Sequence, residues 1–134
     1  MRLLIDTNIL LEVILDQGKA DEARALLSRT DDHWLCMSDF GLHSIGLLLV
    51  RRKQPDIFRQ FVQDMIVDGG VAVSSLAAED MESVLEASEK FNLDFDDAYH
   101  YAVAGKHDLI LVSFDADFDS TKRGRRTPSQ ILGS

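Results

Sequence analysis

Two aspartates follow directly on apolar runs and a third stands two residues on, and their placement is the first chemical feature of the chain. Asp6 comes straight after "RLLI", and Asp115 and Asp117 come after "LVSF". A further group, Asp94, Asp96 and Asp97, opens the segment "LDFDDAYHYAVA". A carboxylate at the end of a buried strand is costly to remove from water. If Asp6, Asp97 and Asp115 converge, their like charges raise one another's pKa and oppose folding until something cancels them. A divalent cation supplies that cancellation, and an all-oxygen donor set suits magnesium or manganese. Zinc is disfavoured, because Cys36 stands alone and the histidines lack a ligand-like spacing. Such a centre supports phosphodiester hydrolysis by activating a water and stabilising charge on the leaving oxygen. No nucleophilic triad is visible. For Asp97 a plainer role stays open, since acids in the first turn of a helix are favoured by the helix dipole alone.

The elements that must position these residues are legible from hydropathy. Residues 2–5 read as a short buried strand, with Thr7 as N-cap of the helix that follows. A second helix is expected over about 19–28, and "HWLCMS" has the length and apolar density of another buried strand. Ser38 or Asp39 caps a helix running to Arg51-Arg52-Lys53, whose charges suit a helix C-terminus. Pro55 opens an amphipathic helix that Gly69-Gly70 ends, and "VAVS" is a third strand. A helix over about 75–90 and another over about 94–106 follow. Asp94 would be the N-cap of the latter, and Phe95, Ala98 and Ala102 its inward stripe. "LILVSF" is the fourth strand, and a fifth short strand is expected near residues 130–132. Trp34 and Cys36 are assigned to the core, and His100 and His107 to the surface.

Strands that are apolar on both faces and alternate with helices indicate an α/β fold: three layers, α/β/α, around a central mostly parallel sheet of four to five strands. Sites in such folds lie outside the carboxyl ends of the strands, which is where Asp6, Ser38, Asp39, Asp115 and Asp117 fall. At 134 residues, with no repeat or linker, the chain reads as one domain over 1–134. The net charge of −9 does not by itself suggest a nucleic-acid binder. The charge is uneven, however. The segment 119–134 is basic, carrying Lys122, Arg123, Arg125 and Arg126 immediately after the acids. Cation binding next to an anion-binding strip is the functional reading, and solvated loops of both signs the plain one. A lone cysteine, no secretory leader and no membrane-length apolar run make the cytoplasm the expected compartment.

With these residues assembled, the chain resembles the PIN-domain family of metal-dependent ribonucleases, which includes the VapC toxins. The resemblance rests on "LLIDTNILL", "DFDDAYHYAVA" and "LILVSFDADF", in this order and at this spacing. It implies that Asp6, Asp97 and Asp115 are catalytic, and that these three with Asp117 bind Mg2+ or Mn2+. Thr7, Asn8 and Ser113 would orient carboxylates or bind phosphate, with Asp96 in reserve. Lys122, Arg123, Arg125 and Arg126, which follow the acid cluster directly, would hold flanking RNA phosphates, with binding of a partner protein as the open alternative. The chain departs from the family at one position: the glutamate early in the helix after strand two is replaced by Ser44, beside His43.

The resemblance therefore implies an endoribonuclease acting on RNA, in a toxin–antitoxin setting with an antitoxin protein as partner. It also implies a homodimer formed through the apolar faces of the helices between Leu42 and Ile66, with no membrane association. The missing glutamate supports a second reading, a catalytically weak or inactive PIN-like module that binds RNA or protein. Phosphatase or phosphoacceptor chemistry at Asp6 is disfavoured, because position 8 is Asn rather than the second aspartate such phosphatases require.

Overall fold

In the computed structural model, which describes residues 1–133, four strands form one parallel sheet. They are β1 (Arg2–Ile5), β2 (Trp34–Ser38), β3 (Ala72–Ser74) and β4 (Ile110–Val112), in the order β3-β2-β1-β4. Leu4 pairs with Cys36 on one side and Leu111 on the other, so β1 is central and its carboxyl end lies beside those of β2 and β4. Alternation along the strands divides the core. Leu3, Ile5, Leu35, Met37 and Val112 face one apolar cluster, and Leu4, Cys36 and Leu111 face the other. The first face is covered by α1 (Thr7–Ile14), α2 (Ala20–Leu27), α3 (Asp39–Arg51), α4 (Pro55–Phe61) and α7 (Pro128–Leu132). The second is covered by α5 (Met81–Phe91) and α6 (Phe95–His107). This is the expected three-layer α/β/α arrangement. No helix among the described residues is long and apolar enough to cross a membrane.

Several local expectations are corrected. Asp6, not Thr7, is the N-cap of α1, because its side chain accepts the Thr7 N–H. The helix from Pro55 widens into a π turn over Val62–Val67 before Gly70 leaves it at φ 77. Residues 75–77 are not helical; a 3-10 turn over Ala78–Asp80 leads into α5. The tail forms no strand at residues 130–132, where α7 lies instead, started by Thr127 and Gln130 in a reciprocal capping box with Pro128 at its head. Sheet-like pairing does occur, but earlier. Arg126 bridges Val112 in parallel, its N–H donating to Leu111 and its carbonyl accepting from Ser113. The basic segment is thereby fastened along the open edge of β4.

Trp34 is 42% exposed at the amino end of β2, where Arg2 stacks over its ring, so it is not a core residue. Cys36 is fully buried, as expected, and burial raises its thiol pKa. Phe95 does not join the inward stripe of α6, being 49% exposed, whereas Ala98 and Ala102 are buried. His100 was expected at the surface and is 2% exposed.

Candidate metal centre and nucleic-acid interface

The carboxyl ends of β1 and β4 and the first turn of α6 meet around a cavity of ≈ 370 Å³. Asp6, Asp97 and Asp115 line it together with Thr7, Asn8, Ser44, Asp94, Asp96 and His100. Asp117 does not line it, but carboxylate oxygens of Asp97, Asp115 and Asp117 lie within 4.8 Å of one another. Asp94, Asp96 and Asp97 make a second such group, so Asp97 is common to both.

Asp6 is 5% exposed and is held by both oxygens. Oδ1 accepts the Thr7 N–H at 2.7 Å, and Oδ2 accepts the Ser113 hydroxyl at 2.7 Å. Having donated its proton to Asp6, Ser113 Oγ accepts from Asn8 Nδ2 at 3.1 Å and from the Asp115 N–H at 3.0 Å. Asn8 completes the loop by accepting the Phe114 N–H at 3.3 Å. Asp115 Oδ1 in turn accepts the Asp117 N–H at 2.8 Å. One hydroxyl and one amide therefore fix the relative positions of Asp6 and Asp115 across two adjacent strands. Charge-assisted bonds of this kind are short and stiff.

Asp97 is the electrostatic focus. Its carboxyl pKa is pushed up from 3.8 to about 7, first by burial and then by the charges of Asp6, Asp96, Asp115 and Asp94. Asp94 occupies the N-cap position of α6, but its side chain makes no capping bond. The capping explanation for this acidic group is weaker for that reason.

The residue that sequence reasoning missed is His100. Its Nδ1 lies 2.8 Å from the Asp96 carbonyl, which can only accept, so Nδ1 carries the proton. In the neutral imidazole Nε2 is then the acceptor for the Ser38 hydroxyl at 2.8 Å, and Ser38 Oγ itself accepts the Gly41 N–H at 2.8 Å. This relay ties the end of β2 and the start of α3 to the first turn of α6, which carries Asp97. His100 Nδ1 also lies 3.8 Å from Asp6 Oδ1. Gly41 is required by the close approach, since a Cβ there would stand 2.9 Å from Thr7 Oγ1 and 3.3 Å from Ser38 Oγ.

Ser44 sits in the cavity wall and adds no charge. The basic residues are unevenly engaged. Arg125 grips Asp119 through two nitrogens and donates to the Ser113 carbonyl at 3.1 Å, next to the acids. Arg123 pairs with Asp108 at 3.0 Å and the Leu109 carbonyl at 3.2 Å. Lys122 and Arg126 are exposed.

The donor set is chemically suited to a hard divalent cation: several carboxylates, neighbouring hydroxyl and amide oxygens, and an acid whose pKa is raised by burial and then by its neighbours. The PIN domain model matches residues 3–124. No curated protein matches the chain. Among solved structures, the chain is similar to a toxin-antitoxin complex from Klebsiella pneumoniae, with 19% identity and TM-score 0.73 over 94% of this chain and 97% of that one. VapBC2 from Rickettsia felis, bound to a DNA fragment from its promoter, gives 14% identity and TM-score 0.76 over 94% and 97%. VapC20 from Mycobacterium tuberculosis, described as a toxin cleaving the sarcin-ricin loop, gives 20% identity and TM-score 0.72 over 90% and 95%. At these identities the structures establish the shared fold.

Proposed function

From the chain's membership of the PIN-domain family, to which it belongs by a match over residues 3–124, we propose that it is a magnesium- or manganese-dependent endoribonuclease that hydrolyses RNA phosphodiester bonds. The observation that carries this reading is the meeting of Asp6, Asp97 and Asp115 in one cavity, with the Asp97 pKa raised to about 7 by burial and by its acidic neighbours. Such a cluster opposes folding on its own and is relieved by a bound cation. Asp6, Asp97, Asp115 and Asp117 are the residues that would hold the ion. When bound, it would supply Lewis-acid stabilisation of phosphoryl charge and a more acidic water.

The chain's own residues do the rest. Ser113 and Asn8 hold Asp6 and Asp115 at fixed separation, and the Ser38–His100 relay holds the helix that carries Asp97. Thr7 lines the cavity on the side of α3, and Asp96 accepts the Asp97 N–H and adds its charge to the burial and the Asp6 charge that raise the Asp97 pKa. Lys122 and Arg126 are the exposed cations available to flanking phosphates, while Arg123 and Arg125 shape the edge they stand on.

The setting that fits best is the toxin of a cytoplasmic toxin–antitoxin pair, since the similar structures include toxin-antitoxin complexes. A homodimer would bury Val50 and Ile57, which are 59% and 40% exposed on α3 and α4. One observation favours the alternative of a weak or inactive binding module, namely Ser44 in the cavity wall where the family carries a glutamate. Incubation with a mixed RNA substrate separates the two. The nuclease reading requires cleavage that depends on magnesium or manganese and disappears in Asp6→Asn and Asp115→Asn. Binding of RNA without cleavage would establish the module instead.

A further inference from the structure

A second cavity, of ≈ 300 Å³, adjoins the acidic one and is lined by Asp39, Phe40, His43, Ser44, Leu47 and Tyr99. Phe40 and Ser44 line both cavities, so the two adjoin at these residues. Three aromatic rings meet at this border. Phe40 lies 5.4 Å from Tyr99 and 6.1 Å from Phe95, and Phe95 lies 6.4 Å from Tyr99. His100 packs against Phe40 at 77°, so the ring is supported from the buried side. Phe95 is the first residue of α6, two before Asp97, and is 49% exposed. Its ring leans on Phe40 and Tyr99 and leaves about half of its surface to solvent.

The polar group beside these rings is equally fixed. Asp39 Oδ1 accepts the Tyr99 hydroxyl at 2.8 Å and the Phe40 N–H at 2.9 Å. Tyr99 is itself anchored by the Leu76 N–H at 3.1 Å. Both bonds fall on Oδ1, which leaves Oδ2 to accept from a ligand. Aromatic faces beside a fixed acceptor are how proteins hold an unstacked base: the rings stack on any base, and the acceptor selects an edge that presents an amine.

We propose that Phe40, Phe95 and Asp39, backed by the buried ring of Tyr99, form a nucleobase subsite. It takes an amino-bearing base of single-stranded RNA next to the phosphate that enters the acidic cavity. The inference rests on the ribonuclease reading and adds to it a substrate contact and a base preference. Adenine, cytosine and guanine each present an exocyclic amine to Asp39, and uracil offers only its ring N3–H.

The test is fluorescence anisotropy with labelled oligo-A, oligo-C and oligo-U, with calcium replacing magnesium, alongside calorimetric manganese titration of the same proteins. Phe95→Ala is expected to weaken binding of all three on the order of tenfold, with manganese affinity unchanged. Phe95→Tyr retains binding, and Asp39→Asn erases the preference for oligo-A and oligo-C over oligo-U. RNA binding by Phe95→Ala equal to wild type overturns the subsite and leaves the ribonuclease reading standing. Parallel loss of RNA and manganese binding overturns it too, since Phe95 would then be structural support. Failure of the wild type to bind any oligomer also overturns it, and the cleavage assay then decides the ribonuclease reading separately. If the rings instead receive a protein partner, Phe95→Ala loses that partner while RNA binding stays as in wild type.

Discussion

Neutralising Asp97 should stabilise the metal-free protein, and the size of the effect follows from its surroundings. Its carboxyl pKa stands at about 7 in the fold against 3.8 unperturbed. A folded-state value above the unfolded one means that ionisation works against the fold. The stability is fully present below the unfolded pKa and is lost as pH rises through about 7. Three pKa steps are worth roughly 4 kcal/mol. Asp97 is only half-buried, so solvent screening reduces this to about 2 kcal/mol. For a chain of this size that is roughly 6–8 °C in Tm. Thermal melts of wild type and Asp97→Asn in chelator, at about pH 4 and about pH 8, read the effect directly. The variant should match wild type at the lower pH and melt several degrees higher at the upper. Saturating manganese should reverse the order, because only the wild type gains binding energy. An Asp97→Asn protein that is no more stable than wild type at the upper pH, or a gap that does not change with pH, would refute the argument that these carboxylates repel one another.

Ser38→Ala removes the donor to His100 and the acceptor for Gly41, and should cost about 1–3 kcal/mol by denaturant midpoint. Manganese affinity should fall on the order of tenfold in the same variant, as for other groups that orient metal ligands, and Ser38→Thr should restore both. Gly41→Ala should destabilise by about 1–3 kcal/mol despite the better helix propensity of alanine, because the new Cβ meets Thr7 and Ser38; equilibrium unfolding in urea checks it. Ser44→Glu places a further carboxylate in the cavity wall. It should tighten manganese binding on the order of tenfold by calorimetry and lower the metal-free Tm.

The layered fold was legible because each strand is a short apolar run bounded by polar residues, and buried parallel strands require that pattern. The acids at the strand ends were legible for the same reason, since Asp6 and Asp115 mark where apolar residues stop. His100 was not, because a histidine on a helix reads alike whether it faces water or a buried serine. Its partner Ser38 comes from a strand far away in sequence, and no local pattern encodes the pair. Trp34 misled because strand membership implies burial only away from the strand's exposed start. Phe95 misled because its place in the apolar stripe depends on where α6 turns away from the sheet. The tail was a different kind of miss. "TPSQ" carries a capping box with proline at the first helical position, so the helix was signalled locally, while the pairing of Arg126 with Val112 was not.

The most direct test of the central claim is to measure manganese binding by calorimetry and RNA cleavage rate across the same metal titration, on wild type and Asp115→Asn. The two wild-type curves should saturate together, and both should vanish in the variant. Saturable metal binding without cleavage, or cleavage that persists in chelator, would contradict that claim.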